Sequence, residues 1–354
     1  MGEQPMKFEL VDVGVVCALG RNRAEVADGF SRGEAPGMTA LKGLAGGDET
    51  VFGFVPGWGP SRPPELAADL PRVGALVDMA AADLSASVEA AKRAFGPDRI
   101  GVVMGSSNST MEEFTDDPTV IDMAYPAERL AARFGLTGPA LAVSTACSSS
   151  AKVFATARRL LEGGAADAVL VGGADAYTRT VVEGFHSLEA LSSVRCRPCS
   201  PDRDGINLGE GAAVFLMRRA DAASGVALLG VGESSDAYHL TAPDPEGRGA
   251  EASMRAALAD AALSPRDVSF VNLHGTGTVY NDAMELGALR RVFGRPVCAV
   301  STKPLTGHCL GAAGAVEAAL CYLALVAFRR PAVALSNSFA FGGSNATVVL
   351  GSAR

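Results

Sequence analysis

The sequence predicts an α/β protein with largely buried sheets, built from two halves that repeat one rhythm. Three observations carry that expectation. Strand-like apolar runs alternate with small-residue helical segments along most of the chain. Each half holds an apolar strand, a helix, and then a small-residue helix entered from a loop bearing a reactive side chain. No Pro/Ser-rich linker divides the 354 residues, so one compact unit is expected, with its seam near Ala222 to Gly225.

Taken in order, "FELVDVGVV" reads as a strand and "VDMAAADLSASVEAAKRAF" as one long helix with Ala-rich spacing. "RIGVVMG" is short and wholly apolar, as a strand buried on both faces must be. "AERLAARFG" is a helix closed by Gly135, and "CSSSAKVFATARRLLEGG" a helix ended by two glycines. "ADAVLVGGAD" is another buried strand. In the second half, "GVALLGVGES" and "DVSFVNLHG" are strands, each followed by a helix, "GAEASMRAALADAAL" and "NDAMELGALRRVFG". "GAAGAVEAALCYLALVAF" is a helix, and "PAVALSNS" and "ATVVLG" close the chain as strands.

Composition narrows the functional classes. The net charge of −8 offers no basic excess for nucleic-acid phosphates. The N-terminus lacks the basic start and long apolar run of a signal peptide. The longest apolar candidate, Leu310 to Phe328, carries Glu317 and many small residues, and reads as a buried helix rather than a membrane span. Seven cysteines, an odd number in a chain this large, fit a reducing, cytoplasmic compartment better than a disulfide framework.

Chemistry concentrates in a few places. Cys147 lies in "VSTACSSS", just before a helix. By itself it reads equally as a small buried hydrophobe, a metal ligand, half of a disulfide or a nucleophile. A helix start would stabilise a thiolate and offer unpaired N–H groups to an oxyanion. His274 in "NLHGTGT" and His308 in "TKPLTGHCLGAAGA" occupy loops after apolar strands, and a Cys–His pair is one way to build a nucleophile. "CRPC" at Cys196 to Cys199 has no second pair at zinc spacing, so no metal site is expected. "LGVGES" lacks the third glycine of a dinucleotide loop. Asp202, Asp204 and Glu210 do not follow calcium-loop spacing, and a turn stabilised by Arg203 accounts for them.

Four ordered motifs, "VSTACSSSAK", "LHGTGTVYNDAMEL", "STKPLTGHCLGAAGAVEA" and "SNSFAFGGSNA", together resemble the decarboxylating β-ketoacyl-[acyl carrier protein] synthases. These are the elongating condensing enzymes of fatty-acid and type II polyketide synthesis. The resemblance runs densely from Arg99 to Leu350, and "VVCALGRNRAEVADGFSRG" is similar to the family's first strand, loop and helix. Two further stretches, "GFHSLEALSSVRCRPCSPDRDGINLGEGAAVFLM" and "LLGVGESSDAYHLTAPDPEG", look like the condensing enzymes of aryl polyene clusters.

The resemblance implies a thiolase-like αβαβα five-layered sandwich of two pseudo-symmetric halves. Residues 1–222 would carry the nucleophile and 223–354 the two histidines. It also implies roles. Cys147 takes the acyl group; His274 and His308 help remove CO2 from malonyl-carrier protein and stabilise the enolate. Lys303 is the active-site lysine and Glu317 its carboxylate partner. The backbone N–H groups of Cys147 and Phe341 form an oxyanion hole, with Phe341 as acyl gate and Gly342 and Gly343 beside it. Thr276 and Thr278 bind the phosphopantetheine arm, and Asp282 is a structural acid in the same loop. No cofactor is bound, because substrates ride on the phosphopantetheine of acyl carrier protein.

The same resemblance implies a homodimer paired through the strand "ADAVLVGG", or a heterodimer with a chain-length-factor-like subunit. An acidic carrier protein implies a basic patch at the pocket mouth. Initiating ketosynthases pair Cys and His with Asn, and thiolases use a second cysteine; His308 at the third position fits the Cys–His–His type. A non-elongating acyltransferase on the same fold is the alternative, and would not need both histidines. Two departures stand out. Ala340 replaces a common glycine beside the gate, and the stretches Ser106 to Pro126 and Phe328 to Ala334 are short for the family.

Overall fold

The computed structural model describes residues 7–67, 69–111, 121–220, 225–328 and 330–352. The first half contains β1 (Lys7–Val16), α1 (Arg23–Arg32), β2 (Met38–Lys42), β3 (Glu49–Gly53), α2 (Arg72–Ala82), α3 (Ser85–Phe95) and β4 (Ile100–Gly105). It continues with α4 (Tyr125–Phe134), β5 (Ala140–Val143), α5 (Ser149–Glu162), β6 (Ala168–Asp175), α6 (Arg179–Ser187), β7 (Leu208–Gly209) and β8 (Gly211–Ala220). The second half contains β9 (Val226–Ser235), α7 (Arg248–Asp260), β10 (Phe270–Asn272), α8 (Val279–Phe293), β11 (Ala299–Val300), α9 (Lys303–Thr306), α10 (Ala313–Ala327), β12 (Val333–Phe339) and β13 (Ser344–Ser352).

The duplication is visible in the strand order. The first half reads β5-β4-β6-β8-β1 from edge to seam, and the second β11-β10-β12-β13-β9. Numbered within each half, both orders are 3-2-4-5-1. Both have the same sense: two parallel pairings at the far edge, two antiparallel ones towards the seam. The seam is a short antiparallel contact, Phe8 to Leu10 of β1 against Val226 to Leu228 of β9. A separate small sheet, β2-β3-β7, flanks the first half. Of the expected seam at Ala222 to Gly225, residues 222–224 lie outside the described residues.

Alternation along the strands sorts the apolar side chains into three cores. In β8, Ala213, Phe215 and Met217 face α5 and α10, while Ala212, Val214 and Leu216 face α2 and α4. In β13, Ala346, Val348 and Leu350 face the central layer, while Val349 joins α7 and α8. The result is five layers: outer helices, sheet, α5 with α10, sheet, outer helices. α10 is therefore apolar all round because both its faces are covered. Leu310–Ala327 is long and apolar enough to cross a membrane by length, yet it is mostly buried between the two sheets.

Three expectations need correction. The long helix over Val77 to Phe95 is two helices, broken at Asp83 and Leu84; the break turns Leu84 and Val88 into the core while α3 keeps one face in water. The strand "ADAVLVGG" (β6) is bonded to β4 on one side and β8 on the other, so it has no edge to offer a partner. The exposed edge of the first half is β5, where Ala140 to Ala142 face solvent. Finally, the run "AAVFLM" forms a strand that the sequence pattern does not reveal: β8 lies inside the sheet, paired with β6 on one side and β1 on the other.

Candidate functional site

The turn before α5 places Cys147. Ala146 has φ +51°, a left-handed conformation that costs an alanine roughly 1–3 kcal/mol. Neighbouring hydroxyls hold it there. The Thr145 amide donates to Ser149 Oγ at 2.9 Å, and Ser149 Oγ donates to the Ala146 carbonyl at 2.6 Å. Ser148 Oγ donates to the Thr145 carbonyl at 2.8 Å and reaches Ser344 Oγ at 3.0 Å, tying the turn to the second half. Ser150 Oγ accepts the Ala315 amide at 2.9 Å, fastening α5 to α10. The serines of "CSSS" thus lace a strained turn.

His274 and His308 arrive from the second half. His274 follows β10; its amide and that of Gly275 donate to the two oxygens of Glu285, at 2.9 and 2.8 Å. His308 follows Gly307 and runs beside β7: its amide donates to Asn207 O at 2.7 Å, and its carbonyl accepts from Gly209 at 3.0 Å. The two rings meet edge to face, with centroids 5.2 Å apart. Burial, with the Lys303 charge adding to it, holds both imidazoles well below their usual range. Both are therefore neutral at physiological pH, each with one N–H to donate.

Lys303, fully buried, donates from Nζ to Glu317 Oε1 at 2.5 Å and to the His274 carbonyl. This pairing joins α9, α10 and the His274 loop. Burial raises the Glu317 carboxyl, with Lys303 opposing the shift. Glu285 was not singled out from the sequence, yet it anchors His274 and also accepts from Asn337 Nδ2 at 3.0 Å. Burial pushes its carboxyl up to about 7. Its signal was position: three residues after Asp282, on the same face of one helix.

Cys147 is 7% exposed, and burial pushes its thiol up to about 12. The Lys303 charge and the N–H groups of Phe341 and Cys147 pull the other way. A resting thiolate expected from the helix start is thus outweighed by desolvation. The same two N–H groups are the pair expected to face an oxyanion. Phe341 stacks on Phe185 of α6, with centroids 5.6 Å apart and planes at 16°. Gly342 and Gly343 follow at φ +77° and +75°, letting the chain reverse within a turn closed by the Gly343 amide on the Ala340 carbonyl at 3.0 Å. Ala340 itself is extended, at φ −102°, so alanine fits there unstrained.

Thr276 and Thr278 face each other, Oγ1 to Oγ1, at 2.9 Å on the cavity wall. Asp282 is fully buried; it accepts the amides of Cys199 at 2.7 Å and Gly277 at 3.2 Å, bracing the loop that carries them. Cys147, His274, His308, Thr276, Thr278 and Phe341 all line one cavity of about 370 Å³. Among the described residues no cluster of three or more His, Cys, Asp or Glu is arranged to hold a metal. Asp202 pairs with Arg197, and Glu210 is locked on Arg72 at 2.6 Å; Arg203 donates to Ser200 O at 2.9 Å, closing the expected turn. The charged residues lining the cavity itself are Glu189, Asp204 and Asp236.

A buried thiol sharing one cavity with two neutral histidines on a doubled, five-layered sheet defines the thiolase-like class of condensing proteins. The β-ketoacyl synthase N-terminal domain matches residues 68–223, and the β-ketoacyl synthase C-terminal domain matches residues 226–332. Nodulation protein E of Rhizobium leguminosarum bv. trifolii is 39% identical over 249 residues, 60% of this chain and 62% of that protein's length. The 3-oxoacyl-[acyl-carrier-protein] synthase 2 of Staphylococcus aureus (strain COL) is 33% identical over 309 residues, 71% of this chain and 75% of that protein. Among solved structures, the ApeO ketosynthase in complex with its chain length factor ApeC, from Xenorhabdus doucetiae, superimposes with a TM-score of 0.90. It is 37% identical and covers 100% of both chains. The chain belongs to the β-ketoacyl synthase family.

Proposed function

We propose that this chain is an elongating β-ketoacyl-[acyl carrier protein] synthase, in which Cys147 holds the growing acyl chain. The carrying observation is the convergence, in the lining of one cavity, of the Cys147 thiol, the amides of Cys147 and Phe341, and two neutral imidazoles. First, Cys147 Sγ attacks the carbonyl of an acyl-carrier thioester. The C–S bond to pantetheine breaks, and the Cys147 proton goes to the departing thiol. Next, the C–C bond of malonyl-carrier protein breaks; CO2 leaves and the electron pair becomes an enolate. Neutral N–H donors from His274 and His308 stabilise the charge growing on the thioester oxygen without trapping the starting carboxylate. The enolate carbon then attacks the acyl-Cys147 carbonyl, whose oxyanion the two backbone N–H groups receive. Collapse expels Cys147 as thiolate, which regains a proton.

Lys303 and Glu317 position the His274 loop; Thr276 and Thr278 bind the pantetheine arm, and Asp282 braces their loop. Substrates come covalently carried, so the reaction requires no bound cofactor. Seven free thiols support a reducing, cytoplasmic setting. A second thiolase-like subunit pairs with edge strand β5, as a second copy or a chain-length-factor-like chain. The likeness to a ketosynthase in complex with its chain length factor supports the second. Residues 1–222 supply the nucleophile and 223–354 the histidines.

Intact-mass spectrometry with acyl- and malonyl-carrier protein tests this reading. Acyl-Cys147 followed by a product two carbons longer is expected. Acylation without extension would instead support the non-elongating acyltransferase.

A further inference from the structure

The last residue of β6, Asp175, is a wholly buried carboxylate that takes donors from both halves. From the first half come the hydroxyls of Ser106 and Ser107, at 2.5 and 2.7 Å. The amides of Ser107, Asn108 and Ser109 join them, at 3.0, 3.1 and 3.3 Å. From the second half comes the Gly311 amide, at 2.6 Å. Every one of these donors is neutral, so the carboxylate rests on fixed dipoles. Burial pushes its carboxyl up, and these bonds pull it back.

The backbone is strained on both sides of the clasp. Ser109 has φ +43° and Leu310 φ +50°, left-handed values that a side chain with a Cβ resists. Gly311 leaves no room for growth: a Cβ there would stand 2.7 Å from Asp175 Oδ2 and 2.6 Å from the Ser107 nitrogen. Strain of this kind persists only where the surroundings hold it, and here the held points are amides bonded to one carboxylate.

What the clasp joins gives it a role. Gly311 lies three residues beyond His308, whose own backbone is fastened to Asn207 and Gly209. The His308 segment is therefore gripped at both ends. On the other side, the Ser106 amide donates at 3.2 Å to the carbonyl of Val143, where β5 leads into the Cys147 turn. Gly105, at the end of β4, lies so near α5 that a Cβ would stand 2.5 Å from the Ser150 nitrogen. One carboxylate thus links the support of the thiol to the support of the histidine.

Resting on the condensing-enzyme reading, we propose that Asp175 is a positioning residue for elongation: by clasping the loop after β4 to Gly311, it sets the separation between acyl-Cys147 and His308. Acyl transfer to Cys147 draws on the Cys147 and Phe341 amides, which Asp175 does not touch. Extension draws on His308 as well, so it carries the cost of a loosened clasp.

Two variants test this. Asp175→Asn keeps the shape but turns an NH2 towards amides that can only donate. Gly311→Ala pushes the clasp apart with the charge left in place. Intact mass gives the rate of acyl-Cys147 formation from an acyl-carrier protein, and the rate at which malonyl-carrier protein extends the pre-acylated enzyme. In both variants the ratio of extension to acylation should fall about tenfold or more, because displacing a reacting group by an ångström is that costly. The loss should appear in kcat for malonyl-carrier protein, with its KM within about twofold of the parent. A purely structural role would lower both rates in step, as less folded protein, and leave the ratio at the parent value; that result overturns the proposal while the parent's extension keeps the enzyme reading intact. If one variant does not fold, the other supplies the ratio; if neither folds, Asp175 serves folding and the proposal falls. If the parent is not extended, the condensing-enzyme reading fails and the positioning role with it.

Discussion

At the scale of single residues, burial sets the chemistry. Cys147, His274 and His308 are all shifted towards their neutral forms by desolvation. The histidines can then donate N–H bonds throughout the neutral range, so the rate of malonyl decarboxylation should be flat above pH of about 6.5. It should fall only on the acid side, as the imidazoles gain protons. A pH–rate profile stepping upward near pH 7 would contradict this. Replacing His308 by Ala removes one of two oxyanion donors and should cost roughly 3 kcal/mol, about a hundredfold or more in elongation rate. Elongation by the purified variant at the parent rate would refute the assignment. Glu285 has its carboxyl raised from 4.5 to about 7. Its protonated form is favoured in the fold, so its contribution is present below pH of about 4.5 and is lost as pH rises through about 7. Glu285→Gln lacks that titration. It should therefore be less destabilising relative to the parent at pH of about 8 than at about 5, measured by urea unfolding.

At the scale of elements, the site depends on how loops are hung from strands. His308 keeps its place through two backbone bonds, one to Gly209 of β7 and one to Asn207 just before it. Gly307 permits this approach: it has φ +66°, and a Cβ there would stand 2.3 Å from the Leu208 carbonyl oxygen. Gly307→Val should therefore displace His308 while leaving the α5 turn alone. Acyl-Cys147 should still form, and elongation should fall by about tenfold or more, because misplacing a reacting group by an ångström is that costly. Loss of both steps together would show that the β7 contact serves folding alone. The helices α5 and α10 were readable from their small-residue periodicity. The α2–α3 break was not, because only the outer layer tells which turns must dip inward. Strand β8 hid in "GEGAAVFLM" because a run of apolar residues without alternation reads as strand or helix alike.

At the scale of the whole molecule, the doubled sheet leaves one parallel edge strand, β5, facing solvent in the half that carries Cys147. Exposed edges invite pairing with another chain. Leu141 is 40% exposed on that edge. Leu141→Lys should shift the protein towards monomer in size-exclusion chromatography with light scattering; an unchanged mass would move the interface elsewhere. The two-fold resemblance between halves also explains why the site needs the complete fold. Cys147 comes from the first half and both histidines from the second, and Ser148 and Ser344 bond across them.

By itself the sequence determined the class of fold, and it singled out Cys147, His274 and His308, which the fold brings to one cavity, with the loops that carry them. Period and glycine placement are local signals, and reactive residue types in fixed order survive reading in one dimension. Tertiary structure alone decided three things: that the thiol rests neutral, that β5 rather than β6 is the free edge of the first half, and that the charged residues lining the cavity are all acidic. Each depends on what surrounds a group in space. Desolvation, strand neighbours and lining charge are sums over residues far apart in the chain, and no window of sequence contains them.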